Sequence, residues 1–306
     1  MLMSINDILV SVVVCTFNRL NLLKKCLESL INQSANAKSY EIIVVDNCSN
    51  DGTDECVRSF GNKVKYCYED RRGLSHARNR GVSESNGIYV AFTDDDAIAD
   101  YYWVENIIEA FNNSQNSPKV VGGRIELYSE FKFPKWLSES FKSSLGYLNY
   151  GDEKVLLDDR YLYGVNIAFD KRIFRKFNFS PVLGRVGKNL ISNEESYIQD
   201  QIRKDGGSIL YNPNMLVKHY VPEERLKFLW HLKRFYSQGK SNYLVGNLSG
   251  HKIVGYSYLL KEALFTLACF GGNILILRKK WIDNLAYLSL MLGYLSGKLA
   301  GRTDGR

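Results

Sequence analysis

No stretch of the 306-residue chain reaches the roughly 18–20 uninterrupted apolar residues of a membrane-spanning helix. The nearest runs are Ala263–Leu277, 15 residues, and Asn284–Gly297, 14 residues. Prolines number only 5, and neither internal repeats nor low-complexity tracts occur, which excludes a disordered tail or a repeat array. The 6 cysteines include no C-x-x-C pair and no zinc-like cluster. With Cys15 embedded in Val12-Val13-Val14-Cys15, they read as reduced, buried thiols of a cytosolic protein rather than a disulfide framework. Met1–Val14 has Asp7, no positive opening region, and runs into Thr16-Phe17-Asn18-Arg19 instead of a small-residue cleavage site, so no secretory leader is expected.

What is present is a lopsided charge. The net charge is +7, yet Lys218–Arg306 holds 14 Lys+Arg against 5 Asp+Glu, leaving the first 217 residues slightly acidic. Within that basic third, Arg278, Lys279, Lys280 and Lys298 flank the two apolar runs. Cations beside apolar helices do not suit nucleic acid; they suit helices lying on an anionic membrane surface. A helical hairpin packed on the rest of the chain, or a subunit interface, fits the same pattern.

Along the first 130 residues, β-branched runs at Val10–Cys15, Glu41–Asp46, Val64–Tyr68, Ile88–Phe92 and Val120–Leu127 alternate with helical-period stretches. The stretches are Leu20–Asn32, Gly52–Phe60, Gly73–Ser85 and Tyr101–Asn112. Continuous apolar strands alternating with helices predict an α/β fold with a mainly parallel sheet covered on both faces. Ligands of such sheets bind beyond the carboxyl ends of the strands. Those ends are polar here: Thr16-Phe17-Asn18-Arg19, Asp46 through Asp51, and Thr93-Asp94-Asp95-Asp96. Asp51 and Thr53 also read as cap and turn residues of the next helix. Further on, the pattern predicts a strand at Tyr163–Phe169, a helix at Asn193–Asp205, a strand pair at Ser208–Tyr211 and Met215–His219, and a helix at Pro222–Gln238.

Three consecutive aspartates at a buried strand end repel unless a cation or proton intervenes. Hard oxygen ligands favour Mg²⁺ or Mn²⁺. Asp94 and Asp96 can converge while Asp95 points elsewhere; the alternative is a solvated turn with Asp96 capping the next helix. A phosphotransferase or phosphohydrolase would set such a cluster after its first strand, whereas here it follows the fourth. Four ordered blocks then resemble family 2 glycosyltransferases: Ser11–Arg19, Glu41–Thr53, Gly73-Leu74-Ser75-x-Ala77-Arg78-Asn79-x-Gly81, and Phe92–Asp96. The resemblance covers about residues 9–240 and implies the GT-A fold.

By that resemblance, Thr16 and Asn18 lie near the base and ribose of a nucleotide diphosphate sugar, and Asp46 accepts from the base. Arg78 and Asp94-Asp95 border the nucleotide, and Asp94 and Asp96 hold Mn²⁺ or Mg²⁺. For Arg78, a surface pair with Glu84 or Asp70 is the alternative. Glu195 takes the place of the family's usual aspartate base, with adjacent Glu194 an alternative base; both also suit a helix's first turn. His219 completes the metal site, and Arg225 is either a pyrophosphate clamp or a solvated helix residue. Trp103, Trp136 and Asn166 are acceptor-side candidates, each of which also reads as core. The Gln-x-x-Arg-Trp block of processive synthases is missing around Trp230–Phe235, so single-sugar addition is expected. The organisation predicted is a transferase region over 1–240 (nucleotide half 1–127, acceptor half 128–240) and a helical region over 241–306. The activity expected is inverting, metal-dependent transfer to a glycan or lipid-linked acceptor at the inner face of a membrane; the rivals are metal-dependent phosphotransfer and a non-catalytic nucleotide-sugar binder.

Overall fold

Val10–Thr16 (β1) is built of β-branched residues, and Val12, Val13 and Val14 are all fully buried. Successive strand side chains point to opposite faces, so burial at consecutive positions means that both faces of the sheet are covered. The computed structural model describes residues 8–112, 117–187, 189–249 and 278–303; Ala263–Leu277, Cys269 and His251 lie outside them.

β1 is flanked in parallel by Tyr40–Asp46 (β2) and Tyr89–Asp94 (β4), with Val64–Tyr68 (β3) beyond β2. Between them run Leu20–Ile31 (α1), Thr53–Ser59 (α2) and Leu74–Glu84 (α3). α1 buries Leu23, Cys26, Leu27 and Leu30, the spacing of one helical stripe. Its first N–H, at Leu20, is capped by Asp51 at 3.0 Å. Asp51 therefore caps α1, and its other oxygen accepts from the Thr53 hydroxyl at the start of α2, so it serves both helices.

The strands continue with Ala97–Ala99 (β5), Val120–Tyr128 (β6), Val155–Leu156 (β7), Ile167–Asp170 (β8) and Ile209–Tyr220 (β9). The path is β3-β2-β1-β4-β8-β6-β9-β5, with β7 paired to β9. Its longest ladders are parallel: β1 on β2, β1 on β4, and β6 on β9. Short antiparallel pairings attach β8, β5 and β7. Trp103–Asn112 (α4) packs on β9 and β6, and Glu194–Lys204 (α6) buries Ile198 and Ile202.

Three expectations from the sequence change. The strand pair at Ser208–Tyr211 and Met215–His219 is the single strand β9, whose ladder with β6 shifts register between Gly123 and Ile125. Gly123 permits the shift, because a Cβ there would collide with the carbonyls of Asn212 and Met215. Tyr163–Phe169 is a 3₁₀ turn at Gly164–Asn166 before the strand begins at Ile167. Pro222–Gln238 is a 3₁₀ turn at Glu223–Leu226, an extended Lys227, and then the helix Phe228–Ser249 (α7).

The chain forms two compact units. The larger, Met1–Tyr128, Gly146–Pro181 and Glu194–Tyr220, contains the sheet and its core. The smaller, Ser129–Leu145, Val182–Asn193 and Val221–Arg306, contains Glu139–Ser144 (α5), α7 and Arg278–Thr303 (α8). Inside the smaller unit, Trp136, Phe141 and Trp230 gather around the ring of His231, whose Nδ1 lies 2.8 Å from Ser144 Oγ. Burial pushes His231 down to about 4, so the ring is neutral at physiological pH. No helix among the described residues is long and apolar enough to cross a membrane. Cys15, Cys26, Cys48, Cys56 and Cys67 are free thiols, and burial raises Cys15 to about 12.

Candidate active site

The parallel register aligns the strand ends. Thr16 of β1 stands opposite Asp46 of β2, and Cys15 opposite Asp94 of β4, so three polar ends open at one edge of the sheet. Asp46 is buried; one oxygen accepts from the Ser49 N–H at 2.8 Å and the other from the Tyr66 hydroxyl at 2.9 Å. Asn18 has a left-handed backbone (φ 52°) and is exposed. Its N–H donates to Ser49 Oγ at 2.9 Å and its Oδ1 accepts from Asn50 N–H at 2.8 Å, which ties the β1 end to the β2 loop.

After β4 the chain makes a turn and enters β5, whose Ala97 pairs with His219 of β9. That pairing brings His219 to the aspartates from 123 positions away in the chain. Asp96 is buried and leads into a strand, which replaces the solvated helix cap that its position also allowed. Asp94, Asp96 and His219 each present one ligand atom, and the three atoms lie within 4.8 Å of one another. Asp96 Oδ1 and His219 Nε2 are 3.1 Å apart. An octahedral ion with bonds of about 2.1 Å separates adjacent ligands by roughly 3 Å, so the donor set fits a divalent ion.

Asp95 turns the other way. It accepts from the Thr16 hydroxyl at 2.8 Å and from Arg19 at 3.0 Å, while Arg19 also reaches Asp96 at 2.8 Å. Burial raises Asp95 to about 6, against the pull of Arg19. Arg19 was not singled out in the sequence. Its signal was a cation at the end of β1 where three like charges needed a partner.

Arg78 of α3 is buried and pairs with Glu194 at 2.6 Å, not with Glu84 or Asp70. Glu84 is engaged by Lys65 and Arg80 instead. The guanidinium lies over the rings of Phe92 and Phe179 and beneath Gly164, where a Cβ would overlap it. Arg78 also stands 3.8 Å from Asp94 and 3.8 Å from Glu195. Burial and then the Glu195 charge push Glu194 up to about 8, against Arg78, which favours its protonated form. Glu195 accepts from the Gly164 N–H at 3.2 Å through Oε1, while its Oε2 is buried without a hydrogen-bond partner.

Trp103 and Asn166 are not acceptor residues: both are fully buried, and the indole N–H donates to Asn166 Oδ1 at 2.8 Å. Trp136 packs edge-on to Phe141 and Phe228 within the smaller unit. Arg225, also in that unit, is buried near the Trp230 ring, so it is not the solvated helix residue its sequence context allowed.

A mainly parallel sheet bearing Asp94-x-Asp96 at a strand end and a carboxylate pair at a helix start defines a GT-A glycosyltransferase. The chain belongs to glycosyl transferase family 2, whose model matches residues 11–177. Glucosyl-dolichyl phosphate glucuronosyltransferase of Haloferax volcanii is 28% identical over 239 residues, covering 76% of this chain and 75% of the relative. A Methanococcus voltae dolichyl N-acetyl-alpha-D-glucosaminyl phosphate 3-beta-D-2,3-diacetamido-2,3-dideoxy-beta-D-glucuronosyltransferase is 23% identical over 230 residues, covering 72% of this chain and 69% of its own. Among solved structures, the mannosyltransferase PcManGT of Pyrobaculum calidifontis, in complex with GDP-Man and Mn²⁺, shares the fold at a TM-score of 0.57 and 18% identity. That match covers 98% of this chain and 76% of the mannosyltransferase. Family membership decides against the phosphotransferase drawn from the aspartates alone.

Proposed function

We propose that this glycosyltransferase is inverting and metal-dependent, and moves one sugar from a nucleotide diphosphate sugar to a glycan or lipid-linked acceptor. The observation that carries the reading is Arg78: one buried guanidinium stands 3.8 Å from Asp94 and 3.8 Å from Glu195. The cluster able to hold a divalent ion and the carboxylate pair are thereby parts of one site, as a direct displacement at the sugar requires. Asp94, Asp96 and His219 would hold Mn²⁺ or Mg²⁺, which when bound neutralises the leaving nucleoside diphosphate.

The chain's own residues do the rest. Thr16, Asn18 and Asp46 border the nucleotide, with Arg78 and Asp94-Asp95 alongside. Glu195 takes the acceptor hydroxyl's proton. Its Oε2 has no hydrogen-bond partner and stands 3.8 Å from Arg78, whereas Glu194 is bound directly by Arg78 at 2.6 Å and is pushed toward its protonated form. Two relatives are named for dolichyl phosphate-linked substrates, which supports a lipid-linked acceptor. With the basic charge around the apolar run Asn284–Gly297, this supports docking of the 241–306 region on a membrane surface from the cytoplasmic side.

The test is nucleotide release from a donor panel with and without Mn²⁺, followed by the mass of the product. Release of nucleoside diphosphate that needs the metal supports the reading. Hydrolysis of sugar phosphates with nucleotide sugars ignored would sink it.

A further inference from the structure

Gln199 lies on α6 one turn beyond Glu195 and is completely buried. Its neighbours on that face, Ile198 and Ile202, are apolar, so a buried amide there needs partners. It has three. Its Oε1 accepts from the Leu162 N–H at 3.0 Å, and its Nε2 donates to the Leu162 carbonyl at 2.8 Å and to the Glu195 carbonyl at 3.0 Å. The side-chain amide thus pairs with the Leu162 backbone as a neighbouring strand would.

The other end of the same segment is held by a second buried amide. Asn166 Oδ1 accepts from Trp103, and its Nδ2 donates to the carbonyls of Arg124 at 2.9 Å and Met215 at 2.7 Å. Between the two clamps sits Gly164, whose N–H donates to Glu195 Oε1. The segment is therefore fixed at both ends around a backbone donor to this carboxylate.

We infer that Gln199 is a positioning residue for sugar transfer: it holds Leu162–Asn166 so that the Gly164 N–H occupies Oε1 of Glu195 and leaves Oε2 to receive the proton. This rests on the reading of Glu195 as the base. In that step the acceptor O–H proton passes to Oε2 and the acceptor oxygen bonds to the anomeric carbon. The bond from that carbon to the phosphate oxygen breaks, its electron pair leaving with the nucleoside diphosphate.

The experiment compares wild type with Gln199→Met, which fills the space without the amide, and Gln199→Glu, which keeps the acceptor for the Leu162 N–H. Nucleotide release is measured with UDP-glucose, UDP-N-acetylglucosamine, UDP-glucuronate and GDP-mannose across pH, with UDP and GDP affinity and Tm read in parallel. Gln199→Met is expected to lower kcat by about ten- to a hundredfold. Nucleotide affinity and donor KM should stay within about twofold, and the acid limb of the kcat profile should move to higher pH, as expected of a carboxylate that loses a hydrogen-bond donor. Gln199→Glu should show the same split with a smaller loss, and it supplies the test alone if Gln199→Met does not fold. An unaltered kcat and pH profile in either folded variant overturns the inference, as does a loss of kcat and nucleotide affinity together that merely follows Tm. Glu195→Gln run alongside separates the two readings. Retained turnover in that variant removes the base itself, whereas its inactivity beside a wild-type Gln199→Met removes only the positioning role.

Discussion

Arg78 and Glu194, separated by 116 residues in the chain, meet at 2.6 Å with both side chains buried. The pair joins α3 of the nucleotide-side strands to the start of α6. Arg78→Met should lower stability by about 3 kcal/mol, since it strips the partner from a buried carboxyl and the cation from two aromatic faces. Glu194→Gln should cost less, because an amide oxygen still accepts from the guanidinium. Urea denaturation of the two variants checks the order.

The two glutamates should separate kinetically. Glu195→Gln is expected to lower kcat by about 10²–10⁴-fold with nucleotide affinity kept, the range that a general base contributes. Glu194→Gln should retain far more turnover. Equal losses, or the reverse order, would move the base to Glu194.

His219→Ala should weaken Mn²⁺ binding by about tenfold or more, at least what a lost outer-sphere partner costs. Calorimetry on the protein without donor reads this directly. Undiminished affinity would relegate His219 to packing between β5 and β9.

Acid should destabilise the fold through His231. Its folded-state value of about 4 lies below the ordinary 6.5, so between those pH values the unfolded chain binds a proton that the folded ring refuses. Stability is therefore unaffected by this group above pH 6.5 and falls as pH drops toward 4, by about 3 kcal/mol in all. His231→Phe should flatten that part of the stability profile. A slope unchanged by the substitution would assign it to other groups.

Much of the nucleotide-side fold was legible because β1, β2 and β4 are apolar on consecutive residues and the helices between them carry one apolar stripe. Asp94 and Asp96 stood out as like charges at a buried strand end, and His219 was named from the resemblance of its surroundings, but what unites them was hidden. β5 is three residues long, too short for any periodicity, and its pairing of Ala97 with His219 is a fact of topology. The Arg78–Glu194 pair was unreadable for a like reason: nothing local to either residue names the other. Trp103 and Asn166 stayed open between sugar contact and core, because an indole and an amide carry the same signature whether they meet a sugar or each other. β9 was read as two strands because Asn212-Pro213-Asn214 looks like a turn, whereas a register shift opposite Gly123 absorbs it.

That irregularity divides β9 into two stretches with different obligations. Ile209–Asn212 is in one phase with β6, and Val217–Tyr220 is in another. The lower stretch belongs to the core, where a one-residue slip would turn every side chain to the wrong face. The upper stretch delivers His219 to the aspartates. Residues 213–216 join the two, and Met215 among them is fully buried in the core with its carbonyl accepting from Asn166, so the place where the histidine lands is tied to the packing beneath it.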